Sequence, residues 1–180
     1  MYRHPGFTAL ISVIMFFAPF AHGSEGIKEG APPPFFALTD ENDNSVNLES
    51  ILGKPTIIYF THNACFYCVQ IIAYLKRAEK KFGKETLQII GINVMAKDQK
   101  LIKAYKKELD FTFPMFAGNR EDVLRAYNIN YVPMIIFVDS KKTVRKVVGH
   151  YIHEPELHKN IEEIINGHKP VKIPKKGGKK

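Results

Sequence analysis

The only two cysteines of this 180-residue chain, Cys65 and Cys68, stand three positions apart in Thr61-His62-Asn63-Ala64-Cys65-Phe66-Tyr67-Cys68. Two thiols this close can exchange a disulfide, close a static clasp, or supply half of a metal site. The clasp is weak on energetic grounds. Closing a loop of about four residues removes only about 2 kcal/mol of unfolded-chain entropy, less than a long-range bridge provides. A metal site needs more ligands, and the chain has no second CxxC and no HxxxH. His62 is the one histidine nearby in sequence, so a Cys65, Cys68 and His62 copper or zinc site stands as the alternative to redox exchange.

The flanking pattern indicates what each thiol faces. Residues 55–60 form a β-branched and aromatic run, apolar on both faces, which predicts a buried strand. From about residue 65 to 82, Ile71, Ile72, Leu75 and Ala78 fall on one face of a helix. A cysteine where strand gives way to helix meets backbone N–H groups without intrahelical partners and the positive end of the helix dipole. Both favour thiolate over thiol, which makes Cys65 the candidate nucleophile. Side chains at i and i+3 of a helix lie about 5–6 Å apart at Cβ, against about 4 Å in a disulfide. A bond between Cys65 and Cys68 is therefore expected to form and break readily.

The remaining elements alternate. Residues 87–94 read as a buried strand, and Asp98 caps a helix carrying Leu101, Ile102, Tyr105 and Leu109 at helical spacing. Residues 113–117 read as a short strand and 120–127 as a short helix. Residues 134–138 and 143–148 read as strands joined by the turn Asp139-Ser140-Lys141-Lys142, and 154–166 as a helix ended by Gly167. Near the start, residues 35–38 and 45–48 flank Asp40-Glu41-Asn42-Asp43-Asn44, the composition of a hairpin turn. The expected fold is α/β, a central mixed sheet flanked by helices with an N-terminal β-hairpin extension.

The two ends differ from this body. Met1, Arg3 and His4 precede the apolar residues 7–20, and Ala21-His22-Gly23 follows, the pattern of a secretory signal over residues 1–23. An uncleaved anchor is the alternative, but the run is shorter than the ~20 residues needed to span a bilayer, and Pro19 interrupts its end. The net charge of +8 invites a nucleic-acid or membrane partner until it is located along the chain. Lys169, Lys172, Lys175, Lys176, Lys179 and Lys180 lie in residues 168–180 without an acid, leaving 19 basic against 18 acidic residues in 24–167. A single domain over 24–167, a disordered lysine-rich tail and no nucleic-acid partner are expected, with weak contact to anionic lipid as the tail's alternative role.

In order along residues 30–166, several weak features together resemble the thioredoxin superfamily, and within it the exported TlpA/ResA-like thiol-disulfide oxidoreductases. They are Ala31-Pro32 with Phe36-Ala37-Leu38-Thr39-Asp40, then Leu52-Gly53-Lys54-Pro55, Cys65-Phe66-Tyr67-Cys68, and Tyr131-Val132-Pro133-Met134. The resemblance implies a thioredoxin-like fold and a cis Pro133 packed beside a redox-active Cys65–Cys68 disulfide. It also implies that Val132 pairs with an extended substrate segment. Two departures stand out. Thioredoxin's buried aspartate is replaced by Tyr59, and the glutamate typical of TlpA/ResA-like proteins by Ile71.

The expected function is disulfide exchange with protein thiols, in the periplasm or otherwise exported after signal cleavage, needing an upstream thiol donor and no cofactor beyond the disulfide, in a monomer. Phe66 and Tyr67 add no charge between the cysteines, which favours a reductant or isomerase-like role over an oxidase. His62 either lowers the Cys65 pKa or is a solvated loop residue; the sequence leaves both open. Copper delivery is one alternative. Thiol peroxidase chemistry is another, but the Pro-x-x-x-Thr/Ser-x-x-Cys setting of peroxiredoxins is missing, because counting back from Cys65 the chain has His62 and Ile58 where it needs Thr or Ser and Pro.

Overall fold

A computed structural model describes residues 26–167; the expected signal (1–23) and lysine-rich tail lie outside the described residues. In chain order the elements are β1 (Ala37–Asp40), β2 (Ser45–Asn47), α1 (Leu48–Ile51), β3 (Thr56–Thr61), α2 (Phe66–Phe82) and β4 (Gln88–Asn93), then α3 (Gln99–Leu109), β5 (Met115–Ala117), α4 (Glu121–Ala126), β6 (Met134–Val138), β7 (Val144–Val148) and α5 (Glu154–Asn166). The strands form one seven-stranded sheet in the order β2-β1-β5-β4-β3-β6-β7. β3, β4 and β5 run parallel. β1, β2, β6 and β7 pair antiparallel with their neighbours. This is the thioredoxin-like mixed sheet expected from the sequence.

Connection handedness decides which helix covers which face. The β3-α2-β4 and β4-α3-β5 crossovers join parallel strands and step the same way along the sheet, so right-handed connections put α2 and α3 on one face and leave the other for α4. The packing agrees. Ile57, Tyr59 and Ile89 meet Ile71, Ile72, Ile102 and Leu157 on one side, while Ile58, Phe60 and Ile92 meet Leu48, Val123 and Tyr127 on the other. With both faces covered, β3 needs no polar alternation, and all six of its residues are buried.

Helix α2 buries Ile71, Ile72, Leu75 and Ala78, the face read from the sequence, together with Cys68. Each fully buried Ile or Leu contributes about 1.5–3 kcal/mol, so Cys68 is held by a helix anchored over several turns.

Most boundaries fall within two residues of the sequence reading. Two local differences have clear causes. Residues 45–48 read as a strand throughout, but the Asn47 side chain accepts the Glu49 N–H at 2.9 Å and starts α1 at Leu48. Asp40 belongs to β1 instead of the turn, because its carboxylate closes the turn from the strand end, accepting the N–H groups of Asn42 and Asn44 at 2.8 Å each. Among the described residues no helix is long and apolar enough to cross a membrane.

The exit of β5 is packed without slack. A Cβ on Gly118 would lie 2.4 Å from Ile92 Cγ2 and 3.2 Å from the Asn93 carbonyl oxygen; one on Gly91 would meet only the movable end of Met115, at 2.5 Å. Gly118→Ala is expected to destabilise the fold by about 1–3 kcal/mol and Gly91→Ala by less. Chemical denaturation midpoints at unchanged m-value read the difference. Equal losses would contradict this packing.

Candidate active site

Cys65 ends the loop that leaves β3, and its backbone is extended, with φ −110° and ψ 103°. It is the N-cap of α2 and not its first helical residue. Its Sγ accepts the backbone N–H of Cys68 at 3.1 Å, the bond that an N-cap side chain makes to the third helical residue. Because Cys65 lies outside the helix, the helical spacing assumed for the pair does not apply. The two sulfurs are bonded across a Cα–Cα distance of 5.1 Å. Cys65 reaches the surface at 9% exposure while Cys68 is fully enclosed at 0%, so an incoming sulfur can approach only the first.

Behind the pair the chain uses neutral groups. Tyr59, fully buried, donates its hydroxyl to the Cys68 carbonyl oxygen at 2.9 Å. Burial pushes the Tyr59 phenol well above the ordinary tyrosine range, which keeps it a neutral donor and makes it unsuited to act as a base. Ile71, the other position where the resemblance led to a carboxylate, is fully enclosed in the same core. Thr61 Oγ1 and the Tyr105 hydroxyl lie 3.0 Å apart, and Tyr105 also donates to the His62 carbonyl oxygen at 3.5 Å.

Facing Cys65, the Val132–Pro133 peptide bond is cis, the state the resemblance implied. The Val132 carbonyl oxygen lies 3.8 Å from Cys65 Sγ. An open groove of about 420 Å³ starts at His62 and Val132 and runs over Val94, Met95, Leu124 and Ile129. The described residues expose five large hydrophobic side chains: Phe66 and Tyr67 between the cysteines, Val69 one residue beyond, and Met95 and Tyr131 on the groove. His62 uses Nδ1 to accept the Ala64 N–H at 3.1 Å, so that nitrogen faces its own loop. Among the described residues no group of three or more His, Cys, Asp or Glu side chains could hold a metal ion.

Of the residues the sequence singles out, the structure places Tyr59 in β3, His62 in the loop that follows, Cys65 and Cys68 at the cap and first turn of α2, and Val132 and Pro133 just before β6; Tyr59 bonds to Cys68 and Val132 faces Cys65. Sequence reasoning missed Met95, Tyr105 and Asn93. The exposure of Met95 and the turning of Tyr105 and Asn93 toward the loop arise from tertiary packing and carry no local signal.

Residues 29–147 match the AhpC/TSA family. The chain belongs to the AhpC/TSA family. Among its relatives, the thiol-disulfide oxidoreductase ResA of Bacillus subtilis (strain 168) is 27% identical over 145 residues, covering 81% of this chain and 80% of ResA. Peroxiredoxin Q from the chloroplast of Suaeda salsa is 25% identical over 150 residues, covering 77% and 66%. In fold, the chain is similar to the thioredoxin domain of a thiol-disulfide oxidoreductase from Bacteroides vulgatus, with TM-score 0.68 and 22% identity over 78% of this chain and 100% of that one. It is also similar to a thiol:disulfide interchange protein from Bacteroides sp., with TM-score 0.67 and 23% identity over 80% and 94%.

Tyr59→Phe removes only the hydroxyl that reaches the Cys68 carbonyl. It is expected to lower stability by about 0.5–1.5 kcal/mol, measured by denaturation of the oxidised protein. No loss would mean that the bond does not anchor the first turn of α2.

Proposed function

We propose that this chain is an exported thiol-disulfide oxidoreductase that reduces disulfides in protein substrates. The observation that carries the reading is the Cys65 sulfur, the more accessible of the two, N-capping α2 and lying 3.8 Å from the carbonyl of Val132, which precedes the cis proline and lines a mostly apolar groove. The name of the ResA relative supports the same chemistry.

The steps follow from the difference in access. In the reduced protein the Cys65 thiolate attacks one sulfur of a substrate disulfide. A mixed disulfide forms, and the other substrate sulfur leaves as a thiolate that takes a proton from solvent. Cys68, one turn into the helix, then gives up its proton and attacks Cys65 Sγ. The second substrate thiolate is released and the Cys65–Cys68 bond is left behind, so two electrons have passed from protein to substrate. An upstream thiol donor restores the dithiol, and the disulfide is the only redox group required. Val132 presents backbone to an extended substrate segment, and Phe66, Tyr67, Met95 and Tyr131 supply apolar contact around it.

The reducing direction rests on what surrounds the sulfurs. A strong oxidant is one whose reduced, thiolate form is specially stabilised. Here the residues between the cysteines are uncharged, and Tyr59 stays neutral behind them. The export reading rests on the signal-like residues 1–23. The peroxiredoxin Q relative favours a second reading, peroxide reduction, but the segment before Cys65 lacks the proline and the Thr/Ser spacing that activate peroxide.

With a disulfide-bonded protein substrate, Cys68→Ser is expected to accumulate a mixed disulfide through Cys65, while Cys65→Ser neither traps nor turns over. Thiol trapping in glutathione or dithiothreitol buffers should give a reduction potential near about −270 mV or below. A value near about −120 mV would reverse the proposed direction, and a pair that does not cycle at all would overturn the reading.

A further inference from the structure

Asn93, the last residue of β4, is fully buried directly behind the loop that carries Cys65. A buried amide is costly unless its donors and acceptors are used, and its partners therefore define its role. Asn93 Oδ1 accepts the N–H groups of Met95 at 3.0 Å and Ala96 at 3.1 Å. That fixes which end of the amide is oxygen. Nδ2 then points the other way and donates to Asn63 Oδ1 at 2.7 Å. Asn63 is itself exposed and lies two residues before Cys65. One side chain thus joins the segment leading into the nucleophile to residues 94–96, of which Val94 and Met95 line the groove.

We infer that Asn93, acting through Asn63, is a positioning residue for Cys65. It holds residues 62–64 so that the Cys65 sulfur stays on the Cys68 N–H, and it fixes the distance between that sulfur and the groove wall at Met95. The inference rests on the disulfide-exchange reading. The other contacts of the loop, Tyr105 to the His62 carbonyl and Ala64 to the His62 ring, hold it at His62. Of the side-chain bonds that tie residues 62–64 to elements outside the loop, the Asn63 bond lies nearest the sulfur in sequence. Releasing it lets the sulfur leave its N–H donor, which makes the thiolate less favourable and the disulfide harder to reduce.

The test compares full-length wild type, Asn63→Ala, Asn93→Ala and the double variant, each reduced, by the pH dependence of Cys65 alkylation with iodoacetamide. Asn63→Ala should raise the midpoint by about half a pH unit, a roughly threefold lower thiolate fraction at a fixed pH below it. Its equilibrium with glutathione should move toward the disulfide by a similar factor. Adding Asn93→Ala to Asn63→Ala should shift the midpoint no further. A loss of stability alone would leave the midpoint of the folded protein where it is. If Asn93→Ala does not fold, Asn63→Ala alone decides. An Asn63→Ala midpoint and glutathione equilibrium equal to wild type would overturn the inference, as would additive shifts in the double variant. Wild type assayed alongside on a protein disulfide separates the two claims: if it fails to reduce that substrate, the proposed function falls, whatever the midpoints show.

Discussion

The site depends on one contact, the Cys68 backbone N–H directed at Cys65 Sγ across the first turn of α2. A helix has no internal partners for its first N–H groups. Where the N-cap is usually an oxygen-bearing residue, this chain places sulfur. The arrangement serves two purposes at once. It satisfies a donor that the helix needs satisfied, and it puts a hydrogen-bond donor and the positive end of a dipole where negative charge must develop. The remaining elements of the site keep that contact in place or bring a substrate to it.

Keeping it in place falls to the sheet. α2 is fixed by apolar burial from Ile71 to Ala78, and its first turn is tied down by the Tyr59 hydroxyl on the Cys68 carbonyl. A carboxylate at Tyr59 would bring a base and a negative charge close to the sulfurs; a tyrosine whose pKa is raised by burial brings neither. The thiolate is then stabilised by the helix terminus, without charged side chains. The same economy appears in the loop, where Thr61, Tyr105, Asn63 and Asn93 make only neutral hydrogen bonds. On the substrate side, the cis Val132–Pro133 segment brings a carbonyl to the sulfur, and the exposed apolar residues lie around it.

Much of this was legible in the sequence because the signals were local and physical. The β-branched and aromatic β3 run, the 3.6-residue spacing of Ile71, Ile72, Leu75 and Ala78, the Asp98 cap and the Asp139 turn each specify an element by themselves. The cysteine spacing, placed where strand meets helix, marked the chemistry. What was not legible depended on competing signals or on distant packing. Asn47 suits a strand end and a helix cap equally, and only the cap bond decides. Asp40 reads as a turn residue because its side chain does close the turn, while its backbone remains in β1. Asn93 sits at the end of an apolar strand, and nothing nearby in sequence shows that its amide turns toward a loop thirty positions earlier.

The most direct test is the pKa of the Cys65 thiol in the wild-type reduced protein, followed by thiolate absorbance and checked against Cys65→Ser. If the helix N-terminus stabilises the thiolate, the value lies clearly below the roughly 8.5 of a free cysteine. A value at or above that would mean that the capped sulfur gains nothing from the helix, and would contradict the account at its base.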